Sequence, residues 1–395
     1  MYRLLHQLAR SFVAAGIVLG VAFGLLVASA PAGPLTAGNL VVEQLTGTSG
    51  SATAINIQEY TLTGSSVQTI SFPSSGSNQQ TDSASASSNG YLNSYNGYLS
   101  VPGQNLSVGT PSASSSNTKV NSILGTSGTV VSRAVFPTGG ASSTPPSPFS
   151  GNNYRSSIAT SGSTFYAVGT SSGSPTTGGA WYFDGSNFTQ LSTAAPTNQR
   201  NVEIYSNQLY CSTGSGTTGI YTMGTGLPTT GSQAPTLVPG MTATSPYGFV
   251  MFDTNADSIL DLAYVADDGS TTGGGLKKFT FSAGTWSNSW SLLVNAGNSL
   301  SATAGSGYAG LRGLAGIYQS GTATLFATTT EASNNRLISI LDSGAQPSSA
   351  TGLAAAGVNQ VFRGVDVITV PEPTAVTSLG CAAALYAMLR RRRVA

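Results

Sequence analysis

Four oxygen-bearing side chains crowd one short stretch of the chain: Asp253, Asn255, Asp257 and Asp261. Oxygens at the first, third, fifth and ninth positions of a tight loop make a ligand set suited to a hard cation such as Ca²⁺. The same side chains equally well cap their own backbone in an Asp/Asn-rich turn between two strands. A second constellation is spread along the chain. Arg155, Arg200, Arg312 and Arg363 recur at or near the start of short apolar runs. If those runs line a common channel, the arginines ring one mouth and hold an anionic ligand. Glu203 and Asp366 follow two of them by three residues, so ion pairing is a competing use. Asp267, Asp268 and Glu331 are carboxylates for a glycosidase-type pair, which requires two at ~5–9 Å. Each lies beside a turn signal, and nothing in the sequence fixes their separation.

The chemistry that is excluded is sharper. The only histidine is His6, inside the first 32 residues. A body without that segment cannot build a Ser-His-Asp or Cys-His nucleophile, or a histidine-ligated zinc, copper or iron site. The two cysteines are Cys211 and Cys381, and the second lies in the last 25 residues, so an intrachain disulfide of the body is excluded. Between residues 33 and 370 there are nine Lys/Arg and thirteen Asp/Glu, a net charge near −4. Nucleic-acid binding wants a basic face and is not expected.

The elements that must position these residues are strands. Only 7% of residues are charged and 49 are glycine, yet 40% are hydrophobic. The apolar residues fall in short alternating or β-branched runs cut by Gly, Ser, Asn and Thr, the many-short-strands pattern of an all-β fold. The runs repeat. One unit holds Arg155–Ile158, Thr164–Val168, Gly179–Phe183 and Phe188–Leu191; the next holds Arg200–Ile204, Gln208–Cys211, Gly219–Thr222 and Thr236–Val238. Further units start at Tyr247 and Arg312, and a more decorated one starts at Gly90. The starts from Arg155 onward are 45, 47 and 65 residues apart. Four strands per ~40–50 residues is the period of a β-propeller blade.

The ends of the body complete the pattern. Phe362–Ile368 reads as a first strand with no blade after it, and Leu40–Leu45, Ala54–Tyr60 and Val67–Phe72 as three outer strands lacking a first. Joined, they make one blade shared between the termini, which removes a raw sheet edge. The expected fold is therefore an all-β propeller of six four-stranded blades. The stretch from Pro73 to Pro146 leaves five or seven open, and a β-solenoid is the alternative architecture.

Both chain ends carry export signals. Met1–Ala32 has basic Arg3 and Arg10, an apolar run over Phe12–Ala28 and the small residues Ala30-Pro31-Ala32 before Gly33, as a signal peptide does. At the other end stand Pro371-Glu372-Pro373, the uncharged stretch Thr374–Leu389 and Arg390, Arg391, Arg392 and Arg393. As a helix that stretch spans roughly 24 Å, short of the ~20 residues a bilayer crossing normally takes. The arrangement resembles the PEP-CTERM sorting tail of exported proteins of Gram-negative bacteria. The resemblance implies handling by an exosortase-type enzyme after passage through the Sec machinery, with the tail removed near the Pro-Glu-Pro motif. The expected organisation is a signal peptide over 1–32, a propeller body over 33–370 and a sorting tail over 371–395 with a transmembrane helix.

The Asp253–Asp261 spacing resembles the calcium loop of FG-GAP propeller repeats, where a glycine usually follows the third ligand and Ser258 stands here. Gly310-Leu-Arg-Gly-Leu314 and Thr329–Leu337 resemble propeller-like bodies of other PEP-CTERM proteins, with no activity implied. The expected function is a non-enzymatic surface or extracellular-matrix protein that scaffolds or binds polysaccharide or protein. A carbohydrate-active enzyme, glycosidase or lyase, using carboxylates is the alternative.

Overall fold

The computed structural model describes residues 33–47 and 49–369. The expected leader (1–32) and sorting tail (371–395) lie outside the described residues. Within them the chain is strand and turn, with one 3₁₀ turn at Ala113–Ser115.

Strands β1 (Leu40–Thr46), β2 (Ala52–Tyr60) and β3 (Ser66–Ser71) come first, then a short β4 (Thr81–Ser83). β5 (Asn93–Tyr95), β6 (Tyr98–Gln104), β7 (Lys119–Leu124) and β8 (Val130–Val135) follow. One four-stranded sheet holds β9 (Tyr154–Ala159), β10 (Phe165–Gly169), β11 (Gly179–Phe183) and β12 (Phe188–Gln190). The next holds β13 (Gln199–Tyr205), β14 (Gln208–Thr213), β15 (Gly219–Met223) and β16 (Pro235–Thr242). β17 (Pro246–Phe252), β18 (Leu262–Asp267), β19 (Gly275–Ser282) and β20 (Thr285–Asn295) are extended by β21 (Leu300–Ser301) and β22 (Tyr308–Ala309). β23 (Leu311–Gln319), β24 (Thr322–Thr329), β25 (Arg336–Asp342) and β26 (Thr351–Ala355) make a fourth sheet, and β27 (Gln360–Val367) is last. These four sheets are antiparallel blades in a β-propeller arrangement.

The remaining strands join in a nine-stranded sheet of order β27-β1-β2-β4-β6-β7-β8, with β3 on β2 and β5 on β6. The two ends of the body meet in it: Val42 lies opposite Val365, and Leu45 opposite Val361. The stitch β4 bonds β2 through Ala52 and Ser83, and β6 through Thr81 and Gln104. First strands sit side by side. β5 packs beside β27 and β9, β9 beside β13, β13 beside β17, β17 beside β23, and β23 beside β27.

Strict alternation of side chains explains why the middle strands are apolar on both faces. Leu262, Tyr264 and Ala266 of β18 point into a core shared with β23–β25, while Ala263 and Val265 enter a core shared with β15 and β16. Phe165 and Ala167 of β10 pack toward Ile123 and Phe136, and Tyr166 and Val168 toward Val202 and Leu209. The same division sends Val41 toward Leu99 and Val101, and Leu40 and Val42 toward Phe326 and Leu337. Each core is a sandwich between consecutive units. Outer strands β3, β8, β12 and β26 are mostly exposed or half-buried.

Two details depart from the expected repeat. The 65-residue spacing before Arg312 is produced by β21, β22 and their loops, which prolong the β17–β20 blade rather than start another. The outermost strand β26 has no bulky residue except Leu353, so its sequence carries no strand signal. Antiparallel meanders also replace the stacked coils that the solenoid alternative requires.

Candidate functional site

Arg155, Arg200 and Arg312 each occupy the second residue of a first strand, and Arg363 the fourth residue of β27. The structure brings them together around a pair of tyrosine rings. Tyr91 and Tyr247 lie 5.6 Å apart, centroid to centroid. The Arg200 guanidinium sits 4.2 Å above the Tyr247 ring and that of Arg312 5.7 Å from it, within cation–π range. Tyr247 is the second residue of β17, the position its arginine counterparts hold in neighbouring strands. Tyr91 precedes β5, held by its N–H to the Arg155 carbonyl at 3.0 Å. Gly90 and Gly364 allow this approach. The Gly364 N–H bonds the Gly90 carbonyl at 3.0 Å, and a Cβ on Gly364 would lie 2.7 Å from that oxygen.

Of the four guanidinium groups, only that of Arg312 is ion-paired among the described residues, to Asp268 at 3.3 Å. Arg155 donates to the Asn198 side chain and the Gln199 carbonyl, Arg200 to Ser245 Oγ and the Pro246 carbonyl, and Arg363 to the Ala84 carbonyl. The Nε groups of Arg155, Arg200 and Arg363 are buried and have no partner. Burial, and then the neighbouring Arg200, pulls Arg155 down to about 10. Burial also lowers Arg363, against the pull of Tyr91 and of the carboxylates Asp82 and Glu43. Arg312 is buried too, but Tyr91, Tyr247 and Asp268 together hold it above its ordinary value. The carboxylates nearest Arg363 compensate it poorly. Burial and then Asp82 push Glu43 well above the carboxylate range, and burial lifts Asp82 to about 6.

Glu203 and Asp366 do not pair with the arginines of their own strands. Three residues along a strand is roughly 10 Å and the opposite face. They interact with each other instead. Glu203 accepts from Asn201 Nδ2 at 3.0 Å, and Asp366 accepts from the N–H groups of Ser94 and Val367. Burial, and then Asp366, raises Glu203, while burial lifts Asp366 to about 7.

The other carboxylates named from sequence are engaged separately. Asp267 accepts from the N–H groups of Ser245 and Gly269, Asp268 holds Arg312, and Glu331 holds Arg336 at 2.7 Å. The structure therefore does not bring Asp267, Asp268 and Glu331 to one pair. In the Asp253–Asp261 loop, Asp253 accepts from the N–H groups of Asn255, Asp257 and Ser258, and Asp257 from that of Ile259. Asp261 is turned aside to the Thr254 N–H and hydroxyl. Ser258 takes φ 71, the left-handed conformation for which a glycine is the usual choice. Among the described residues no group of three or more His, Cys, Asp or Glu side chains is placed to hold a metal ion.

Sequence reasoning missed Tyr91, Tyr247 and Asp268 as members of the arginine cluster. The signal was positional, since both tyrosines begin units in the repeat. Compared with known proteins, the chain matches no family model and no curated protein.

Proposed function

We propose that this chain is an exported, non-enzymatic β-propeller of six blades that binds the carboxylate groups of an acidic polysaccharide at the Arg/Tyr mouth. The count of six rests on reading the nine-stranded sheet as two blades stitched by β4. In that reading six apolar cores separate six first strands, and the ring closes through β27. The binding reading is carried by one observation: three guanidinium groups around the tyrosine pair make no ion pair among the described residues, and each has a buried unpartnered Nε–H. Buried charge without a counter-charge is costly, and an incoming carboxylate accepts two parallel N–H bonds from an arginine fork.

Polygalacturonate is the probe. It is expected to raise the melting temperature, since a ligand at 100 times its Kd adds about 2.7 kcal/mol. The double variant Arg200→Gln/Arg312→Gln, at the half-buried rim, should lose at least tenfold in affinity. An unshifted melting curve for wild type, or equal binding by the variant, would end this reading. A carbohydrate-active enzyme is favoured by the Glu203–Asp366 pair alone, where one raised carboxyl beside another is the arrangement acid–base chemistry uses. Release of reducing ends from the same probe, abolished in Asp366→Asn, would replace binding by catalysis.

Export rests on the leader and the Pro-Glu-Pro tail. Replacing Arg390–Arg393 by neutral residues should misdirect the protein, because basic residues orient so short an apolar segment. Surface delivery and tail processing identical to wild type would refute it.

A further inference from the structure

A second cleft, far along the chain from most of the mouth residues, has a different chemistry. It opens between the outer strands of neighbouring blades, where β16 packs on β20, and has a volume of about 430 Å³. That lies inside the ~300–1,000 Å³ range of small-molecule sites. Tyr210, Phe281 and Trp286 supply aromatic surface, Ser206 and Thr236 supply hydroxyls, and Ile259 closes one side. No charged side chain lines it. Its wall is closely packed where the blades touch. Gly240, at φ +85, lies so close to β20 that a Cβ would sit 1.8 Å from the Trp286 carbonyl. Phe281 and Trp286 brace each other at 5.4 Å.

Two polar atoms of these aromatic side chains make no hydrogen bond among the described residues. Trp286 is 5% exposed as a residue, and its indole N–H, unbonded among the described residues, still reaches the cleft's solvent. The Tyr210 hydroxyl is likewise without a hydrogen-bond partner there. An aromatic wall with unpartnered donors and no charge selects an occupant that has an apolar face, hydroxyl edges and no ionised group. We infer that this cleft binds neutral sugar units of a polysaccharide, stacked on the aromatic side chains and bonded by Trp286 Nε1 and Tyr210 Oη. The inference is independent of the Arg/Tyr mouth, whose ligand is anionic.

Native gels cast with hydroxyethylcellulose, dextran or galactomannan test it on the intact body. At least one of the three should retard the wild-type protein. Tyr210→Ala and Ile259→Asp, both at side chains that solvent reaches, should weaken that retardation at least tenfold. Trp286→Phe keeps an aromatic face but loses the N–H together with the fused five-membered ring, so it should bind less, with its melting temperature reporting any loss of packing. Arg200→Gln/Arg312→Gln should be retarded like wild type, which separates this site from the mouth. Retardation by none of the three polymers overturns the inference, as does retardation that Tyr210→Ala and Ile259→Asp leave unchanged. Saturable binding of an uncharged apolar peptide in place of any glycan overturns it too.

Discussion

Deleting Phe362–Ile368 should abolish cooperative unfolding of the body. These residues hold the first strand of the sheet in which the two ends of the body meet, and β1 would be left with an unpaired edge. The loss is not confined to hydrogen bonds. Phe362 and Val365 pack with Leu40, Val42, Phe326 and Leu337, whereas Val361 enters the other core with Val41 and Leu45. Both faces of the deleted strand are therefore core, and both neighbouring units lose their partner. The milder variant Phe362→Ala removes a ring that is 1% exposed and meets Tyr60 edge-on at 6.3 Å. A buried Phe→Ala change costs about 3–5 kcal/mol, a large share of a typical ~5–15 kcal/mol stability. Val131→Ala in β8 is the control, because that side chain is 49% exposed and should cost under ~0.5 kcal/mol. Equal melting temperatures for Phe362→Ala and Val131→Ala would mean that the ends do not close the body.

That closure was legible in the sequence because an orphan first strand and three orphan outer strands are both visible as apolar alternation. The recurrence of arginine at strand starts was legible for the same reason: position in the repeat, not residue type, carries the information. Other features left no such trace. β4 is Thr81-Asp82-Ser83, a strand only because its backbone stitches β2 to β6, and its side chains are polar. Tyr91 and Tyr247 are two among 16 tyrosines, and nothing in their type separates a mouth residue from blade packing. The partnership of Glu203 with Asp366 could not be read locally either. It joins strands 163 positions apart, while the attractive arginine three residues upstream points elsewhere. The Asp-rich loop fits a cation site or a self-capped turn by its sequence alone, and in the structure Asp253 and Asp257 are turned onto the loop's own N–H groups.

The same buried carboxylates give the stability of the body an unusual dependence on pH. Glu43, Asp82, Glu203 and Asp366 are all raised in the folded protein, with burial the leading cause; Asp82 reaches about 6 and Asp366 about 7. In the unfolded chain such groups titrate near ~4. Between about pH 4 and pH 7 the folded form thus keeps protons that the unfolded form has released, and stability falls as pH rises. At ~1.4 kcal/mol per unit, and halved for relaxation around the interacting pairs, the loss is on the order of 3 kcal/mol over that window. Lys119 acts in the opposite sense above it. Burial lowers its ammonium to about 7, so from there toward pH 9 the unfolded chain holds an extra proton and this group opposes any further fall. The melting temperature should accordingly fall from about pH 4 to about pH 7, toward the region where most proteins have their maximum. Asp366→Asn should flatten the acid limb, since its amide oxygen still accepts from a backbone N–H while nothing titrates. Lys119→Met should make the melting temperature fall more, or rise less, with pH above about 7 than it does in wild type. A melting temperature that rises steadily from about pH 4 to pH 7 would show that these carboxylates are ionised in the folded protein, and that the cores around them are wetter than the packing implies.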